Sequence, residues 1–161
     1  MSLRQPMPSM DLVVTEAALE SYFDRLFPLC RSITGSGYQD SLEIIREIIP
    51  LETIDFPTGT ECYDWTIPEE WNIREAYNVT PQGEKIADLS EHNLHVVGYS
   101  ESVDQEIPLE ELKKRIYSLP ELPQAIPYVT SYYRGNWGFC LQHEKLKTLT
   151  EGMYRVFIDS E

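Results

Sequence analysis

Tyr128-Val129-Thr130-Ser131-Tyr132-Tyr133-Arg134-Gly135-Asn136-Trp137-Gly138-Phe139-Cys140-Leu141-Gln142-His143 is the densest run of aromatic and β-favouring residues in the chain. Thr130, Tyr132 and Tyr133 suit a pleated, half-buried surface, and Gly135-Asn136 tolerates positive φ. Trp137, Phe139 and Leu141 then alternate with Gly138, Cys140 and Gln142. The pattern predicts a strand, a turn and a second strand, a hairpin that lays three large apolar side chains against a core. It names no chemistry.

Upstream of this run the apolar period changes along the chain. Leu19, Tyr22, Phe23, Leu26 and Phe27 fall at the three- and four-residue spacing of one helical stripe, with Thr15 as N-cap and Pro28 near the end. Gly35-Ser36-Gly37 reads as a flexible connection to a second helix, capped by Asp40 or Ser41, that carries Leu42, Ile45 and Ile49 and stops at Pro50. After Pro50 the period falls to about two. Strands are expected over residues 54–56 and 63–67, on either side of Pro57-Thr58-Gly59. A second hairpin is expected over residues 76–80 and 84–89 around Pro81-Gln82-Gly83, and a mostly apolar, central strand over residues 94–99. Pro108, with Leu109, Leu112 and Ile116 behind it, opens a short helix; a helical turn over residues 144–149 and a strand over residues 153–158 close the chain. The order predicts an α+β fold: two N-terminal helices, then a mainly antiparallel β-rich domain with one or two short helices. The domain reading is a loose segment over residues 1–14, a helical segment over 15–50 and a β-rich domain over 51–161.

With 161 residues the chain has the size of one domain or a domain plus an appendage, and its 42% hydrophobic content is that of a globular protein. The formal net charge of −14 repels nucleic-acid phosphates and anionic membranes, so neither is an expected partner. No stretch has the length of a membrane span or a secretory signal, and Cys30, Cys62 and Cys140 are odd in number and widely spaced. Both features point to a cytoplasmic protein with reduced thiols.

Candidate chemistry is sparse. Gly35-Ser36-Gly37 follows a helix and lacks the residues of a phosphate cradle, so it reads as a linker. On a strand, His92 and His95 would point to opposite faces, which leaves no metal pair. His143 reads two ways, as a ligand contact beside Tyr133, Arg134 and Trp137 or as a capping residue of the helix that follows it. No histidine has an identifiable nucleophile or carboxylate partner.

Several segments, taken together, resemble a known family. They are Leu26-Phe27-Pro28-Leu29-Cys30-Arg31-Ser32-Ile33-Thr34-Gly35, Phe56-Pro57-Thr58-Gly59-Thr60, Tyr63-Asp64-Trp65-Thr66-Ile67-Pro68-Glu69-Glu70-Trp71-Asn72-Ile73, Asn93-Leu94-His95-Val96-Val97-Gly98-Tyr99-Ser100, Ser118-Leu119-Pro120-Glu121, Ile126-Pro127-Tyr128-Val129-Thr130-Ser131-Tyr132-Tyr133 and Trp137-Gly138-Phe139-Cys140-Leu141. The family is one of bacterial proteins with an aminopeptidase-like zinc-peptidase domain. The resemblance implies two helices that begin the peptidase-like domain, a β-rich domain of unknown function inserted after them, and metal ligands in a downstream motif with no counterpart here. It therefore implies a non-catalytic, zinc-free N-terminal portion, inactive alone, whose inserted domain covers the cleft and contacts a peptide-like substrate through Tyr133, Arg134, Trp137 and His143. The alternative is a stand-alone module that binds a peptide or a sugar through the same aromatic run. The stripe of the first helix, lacking a peptidase sheet to cover it, is expected to pair two copies of the chain.

Overall fold

The computed structural model describes residues 15–32, 34–132 and 134–161; the expected loose segment over residues 1–14, Ile33 and Tyr133 lie outside them. Helix α1 (Glu16–Leu26) begins where expected, with Thr15 Oγ1 accepting from the Ala18 amide at 3.2 Å. Helix α2 (Ser36–Arg46) starts earlier than Asp40 or Ser41. The cause is tertiary. Gly35, at φ 95°, forms the cap, and Asn72 Oδ1 accepts from the Ser36 amide at 2.8 Å and its hydroxyl at 2.9 Å. Gly35 and Gly37 are not linker residues, because a Cβ would lie 2.4 Å from the Trp71 carbonyl oxygen at the first and 2.3 Å from that of Cys30 at the second. Arg25 clasps Glu47 with two hydrogen bonds of 2.7 and 2.6 Å, tying α1 to the end of α2.

The expected strand over residues 54–56 does not form. Strands β1 (Glu61–Cys62) and β2 (Trp65–Thr66) make a small hairpin turning at Tyr63 and Asp64, with Tyr63 at φ 57°. The elements after it are β3 (Ile73–Val79), β4 (Lys85–Ile86), a single 3-10 turn (Asn93–His95), β5 (Val103–Pro108), α3 (Leu109–Lys113), β6 (Ile116–Tyr117), β7 (Phe139–Cys140), α4 (His143–Thr148) and β8 (Met153–Ser160). Strands β4, β3, β8 and β5, in that order, form an antiparallel sheet. The fold is α+β, with two N-terminal helices and a mainly antiparallel β part. Central β8 alternates as a half-buried strand should: Tyr154, Val156 and Ile158 face the core and Arg155 and Phe157 the other side. Edge strand β5 is absent from the sequence reading, since Asp104, Gln105 and Glu106 interrupt its apolar alternation.

Residues 128–143 are not a hairpin. Their two halves clasp residues 96–100 instead: Gly98 donates to the Val129 carbonyl at 2.9 Å and Ser131 to the Gly98 carbonyl at 3.0 Å, while Val97 donates to the Gly138 carbonyl at 3.0 Å. Strand β7 pairs in parallel with β6. Phe139 and Leu141 are buried as their alternation requires, but the ladder partners are distant in sequence. Residues 94–99, expected as a strand, form the end of the 3-10 turn and two isolated bridges, and their central position holds, with Val96 and Val97 buried.

Every buried apolar residue among those described lies between Trp71 and Ile158. Residues 15–69 contribute none. They carry instead most of the exposed large hydrophobics, among them Phe23 (70% exposed), Phe27 (60%), Ile54 (72%) and Phe56 (64%).

Candidate functional site

Residues 96–101 are where the chain's separate parts meet. Trp71 donates its indole N–H to the Ser100 carbonyl at 2.9 Å, and the Ser100 hydroxyl donates to the Val97 carbonyl at 2.6 Å while accepting from the Gly138 amide at 3.2 Å. Between them Tyr99 takes φ 65°, the left-handed region that a bulky side chain rarely adopts. Its ring stacks on Trp71 at 5.6 Å and tilts against Tyr132 at 4.7 Å, and its hydroxyl lies 2.6 Å from Thr34 Oγ1. Tyr128 is 67% exposed, yet burial of its hydroxyl end and a hydrogen bond with Tyr132 push its pKa up.

Beside this aromatic group lies an open depression of about 490 Å³ lined by Thr130, Ser131, Tyr132, Arg134, Gly135 and Asn136. Asn136 is held by Arg115, which donates to its Oδ1 at 2.6 Å and lies over the Trp137 ring at 4.8 Å. The Glu101 carboxylate packs against Gly135, where a Cβ would come within 2.5 Å of it. Hydroxyls, an amide, one guanidinium and an aromatic flank can hold a polar ligand by hydrogen bonds. They supply no nucleophile with a paired base.

Of the residues singled out in the sequence, Arg134 and Trp137 lie at this end. His143 is not among the residues that line the depression. It opens α4, and its Nδ1 lies 2.9 Å from Ser118 Oγ. Tyr133 lies outside the described residues. Thr34, Trp71 and Tyr99 were missed by the sequence reading; nothing local marks three residues whose contacts span up to 65 positions.

A second, larger cleft of about 940 Å³ opens between α2 and residues 51–68, with Tyr38, Leu42, Ile54, Phe56 and Trp65 among its walls. Residues 57–68 hold their own shape through hydrogen bonds from Gly59 to the Ile67 carbonyl and from Ile67 to the Thr60 carbonyl, both 2.9 Å.

The described residues do not fit a zinc ion: no three His, Cys, Asp or Glu side chains among them converge on one point. His92 and His95 do approach, with ring centroids 6.0 Å apart, but each Nδ1 is engaged by the backbone, that of His92 by the Leu94 amide and that of His95 by the Cys140 carbonyl. No helix among the described residues is long and apolar enough to cross a membrane.

Comparison with known proteins places these features in context. The chain is 45% identical over 146 residues to a Clostridium acetobutylicum protein named "Putative polysaccharide biosynthesis protein with aminopeptidase-like domain", covering 91% of this chain and 34% of that protein. It also superposes, with a TM-score of 0.85 and 45% identity, on the crystal structure of a "putative peptidase" from Clostridium acetobutylicum, covering 90% of this chain and 34% of the other. The chain thus spans about a third of the length of these relatives. Residues 70–161, which hold the whole core and the depression, match the family described as "Domain of unknown function (DUF2172)", and the chain belongs to that family.

Proposed function

We propose that this chain is the N-terminal, non-catalytic portion of an aminopeptidase-like protein of the zinc-peptidase type, whose β-rich part, inserted after the two helices, covers the cleft and contacts a peptide-like substrate. One observation carries the reading: the described residues of 15–69 contribute no buried apolar side chain, while every buried apolar residue described lies within residues 71–158. Burying a large apolar side chain is worth roughly 1.5–3 kcal/mol, so an exposed stripe holding Leu19, Phe23 and Phe27 favours a further surface to pack against. The relatives, about three times as long, provide for such a surface, and their names supply the aminopeptidase-like character. Substrate contact falls to the depression, with Arg134 on its wall and Trp137 next to it. No catalytic step is assigned to the described residues, and none is routed through zinc.

The test compares the 161-residue chain with the product of the complete reading frame that contains it, using aminoacyl chromogenic substrates. Background turnover by the chain and chelator-sensitive turnover by the complete product are expected. Chelator-sensitive activity in the 161-residue chain, or no activity in the complete product, defeats the reading.

A further inference from the structure

One of the three non-glycine residues at positive φ among those described lies where the helical segment meets the loop that faces the depression. Tyr99, at φ 65°, is held from three directions: Trp71 stacks on one side of its ring, Tyr132 packs against it, and Thr34 meets its hydroxyl at 2.6 Å. Thr34 belongs to the connection between α1 and α2, and it also donates to the Glu69 carbonyl at 3.2 Å. Tyr132 belongs to the wall of the depression. The backbone on either side of Tyr99 is bonded to the same loop, through Gly98 with Val129 and Ser131 and through Glu101 with Asn136. A bulky residue persists in the left-handed region only when its surroundings over-determine it. Here one of those surroundings is supplied by the helical segment.

We propose that Tyr99 is a positioning residue: through its hydroxyl bond to Thr34 the seating of the helical segment sets the geometry of the loop that lines the depression. Residues 15–69 then do more than await a surface to cover them. Whatever packs on α1 and α2 adjusts, by way of Thr34 and Tyr99, the site for which the second half of the chain is built. The inference rests on the reading of the depression as the substrate-contacting surface, and its readout needs no ligand.

Hydrogen exchange on the 161-residue chain tests it, with the variants Tyr99→Phe, Thr34→Val and the double variant. Each single variant removes the Tyr99–Thr34 bond and keeps the ring or the side-chain shape; Thr34→Val also loses the bond to the Glu69 carbonyl, so the double variant is compared with Thr34→Val. A side-chain hydrogen bond of ordinary worth corresponds to about a 2- to 12-fold change in a local opening equilibrium. Exchange at the Gly98, Ser131 and Glu101 amides is therefore expected to rise by about that factor in both single variants. The double variant should rise no further, while the β8 amides keep wild-type protection. Unchanged exchange at those three amides, or additive effects of the two substitutions, overturns the inference. So does a uniform loss of protection that includes β8, which would mark a merely structural bond. Since no ligand enters the measurement, a failure to bind substrate and a failure of this coupling are read separately.

Discussion

His95 and Cys140 form one buried pair, the ring Nδ1 lying 2.9 Å from the Cys140 carbonyl oxygen. Burial disfavours the imidazolium and lowers the His95 pKa against the opposing pull of that carbonyl. A folded-state pKa below the ordinary value of about 6.5 means that the unfolded chain binds the proton more readily. The stability contributed by neutral His95 is thus fully present above that ordinary value and is lost as pH falls towards the folded-state pKa. Urea midpoints should fall between pH 7.5 and pH 5.5 in the wild type and change less in His95→Gln, which retains a group able to donate to the same carbonyl. An equal fall in both proteins refutes this account. Burial likewise pushes the Cys140 thiol up to about 12 and raises that of Cys30, whereas Cys62 is exposed. Since the thiolate is the reactive form, iodoacetamide at pH 8 should modify Cys62 first and leave Cys140 untouched until the protein unfolds. Loss of the fast phase in Cys62→Ser, followed by mass spectrometry, checks the assignment.

Among the elements, helices of similar apolar content have opposite standing. Leu112 of α3 is fully buried behind the sheet, while Leu19 of α1 is 49% exposed. Leu112→Ala should therefore cost about 2–5 kcal/mol, as truncations that leave a core cavity do. Leu19→Ala, made in a Phe23→Glu, Phe27→Glu background that leaves α1 no second copy to pair with, should stay within about 0.5 kcal/mol, as surface substitutions do. Urea unfolding monitored by circular dichroism decides both, and a large loss for Leu19→Ala would show that α1 already has a partner in this chain. The sheet's other face is built from weaker contacts: Lys85 lies 3.7 Å from the Tyr77 ring centre, Tyr77 stacks on Phe157 at 5.2 Å, and Arg155 pairs with Asp104 at 3.2 Å. These contacts order the side chains of four neighbouring strands; Tyr77 and Phe157 are half-buried, and the exposed ion pair of Arg155 adds little to stability.

For the molecule as a whole, the uncovered stripe of α1 leaves two possibilities, a partner surface from a longer polypeptide or a second copy of the same chain. A homodimer through the first helix is the form we propose for the 161-residue chain by itself, where no longer polypeptide competes. Light scattering coupled to size exclusion should report a dimer for the wild type and a folded monomer for the Phe23→Glu, Phe27→Glu double variant. A wild-type monomer, or a dimer that survives the two substitutions, rules out this interface. The net charge of −14 opposes any dimer through Coulomb repulsion, so association should strengthen as salt is raised.

Composition and local pattern by themselves determined the α+β class, the start of α1 at Thr15, the hairpin of β3 and β4 and the last strand. Each of these depends on contacts within a few residues: a cap and the amide three positions on, a turn and its flanking strands, an apolar alternation that holds whichever partner covers it. The tertiary structure alone decided what the run from Tyr128 to His143 pairs with. Its alternation required burial, and burial was reached against residues 96–100 and β6 instead of across Gly135-Asn136. The same holds for α2, whose first turn is capped by Asn72, and for Tyr99, whose left-handed backbone is held by Thr34, Trp71 and Tyr132. Hydrogen bonds and ring contacts made across tens of residues leave no period in the sequence, because nothing in the spacing of one partner depends on the position of the other.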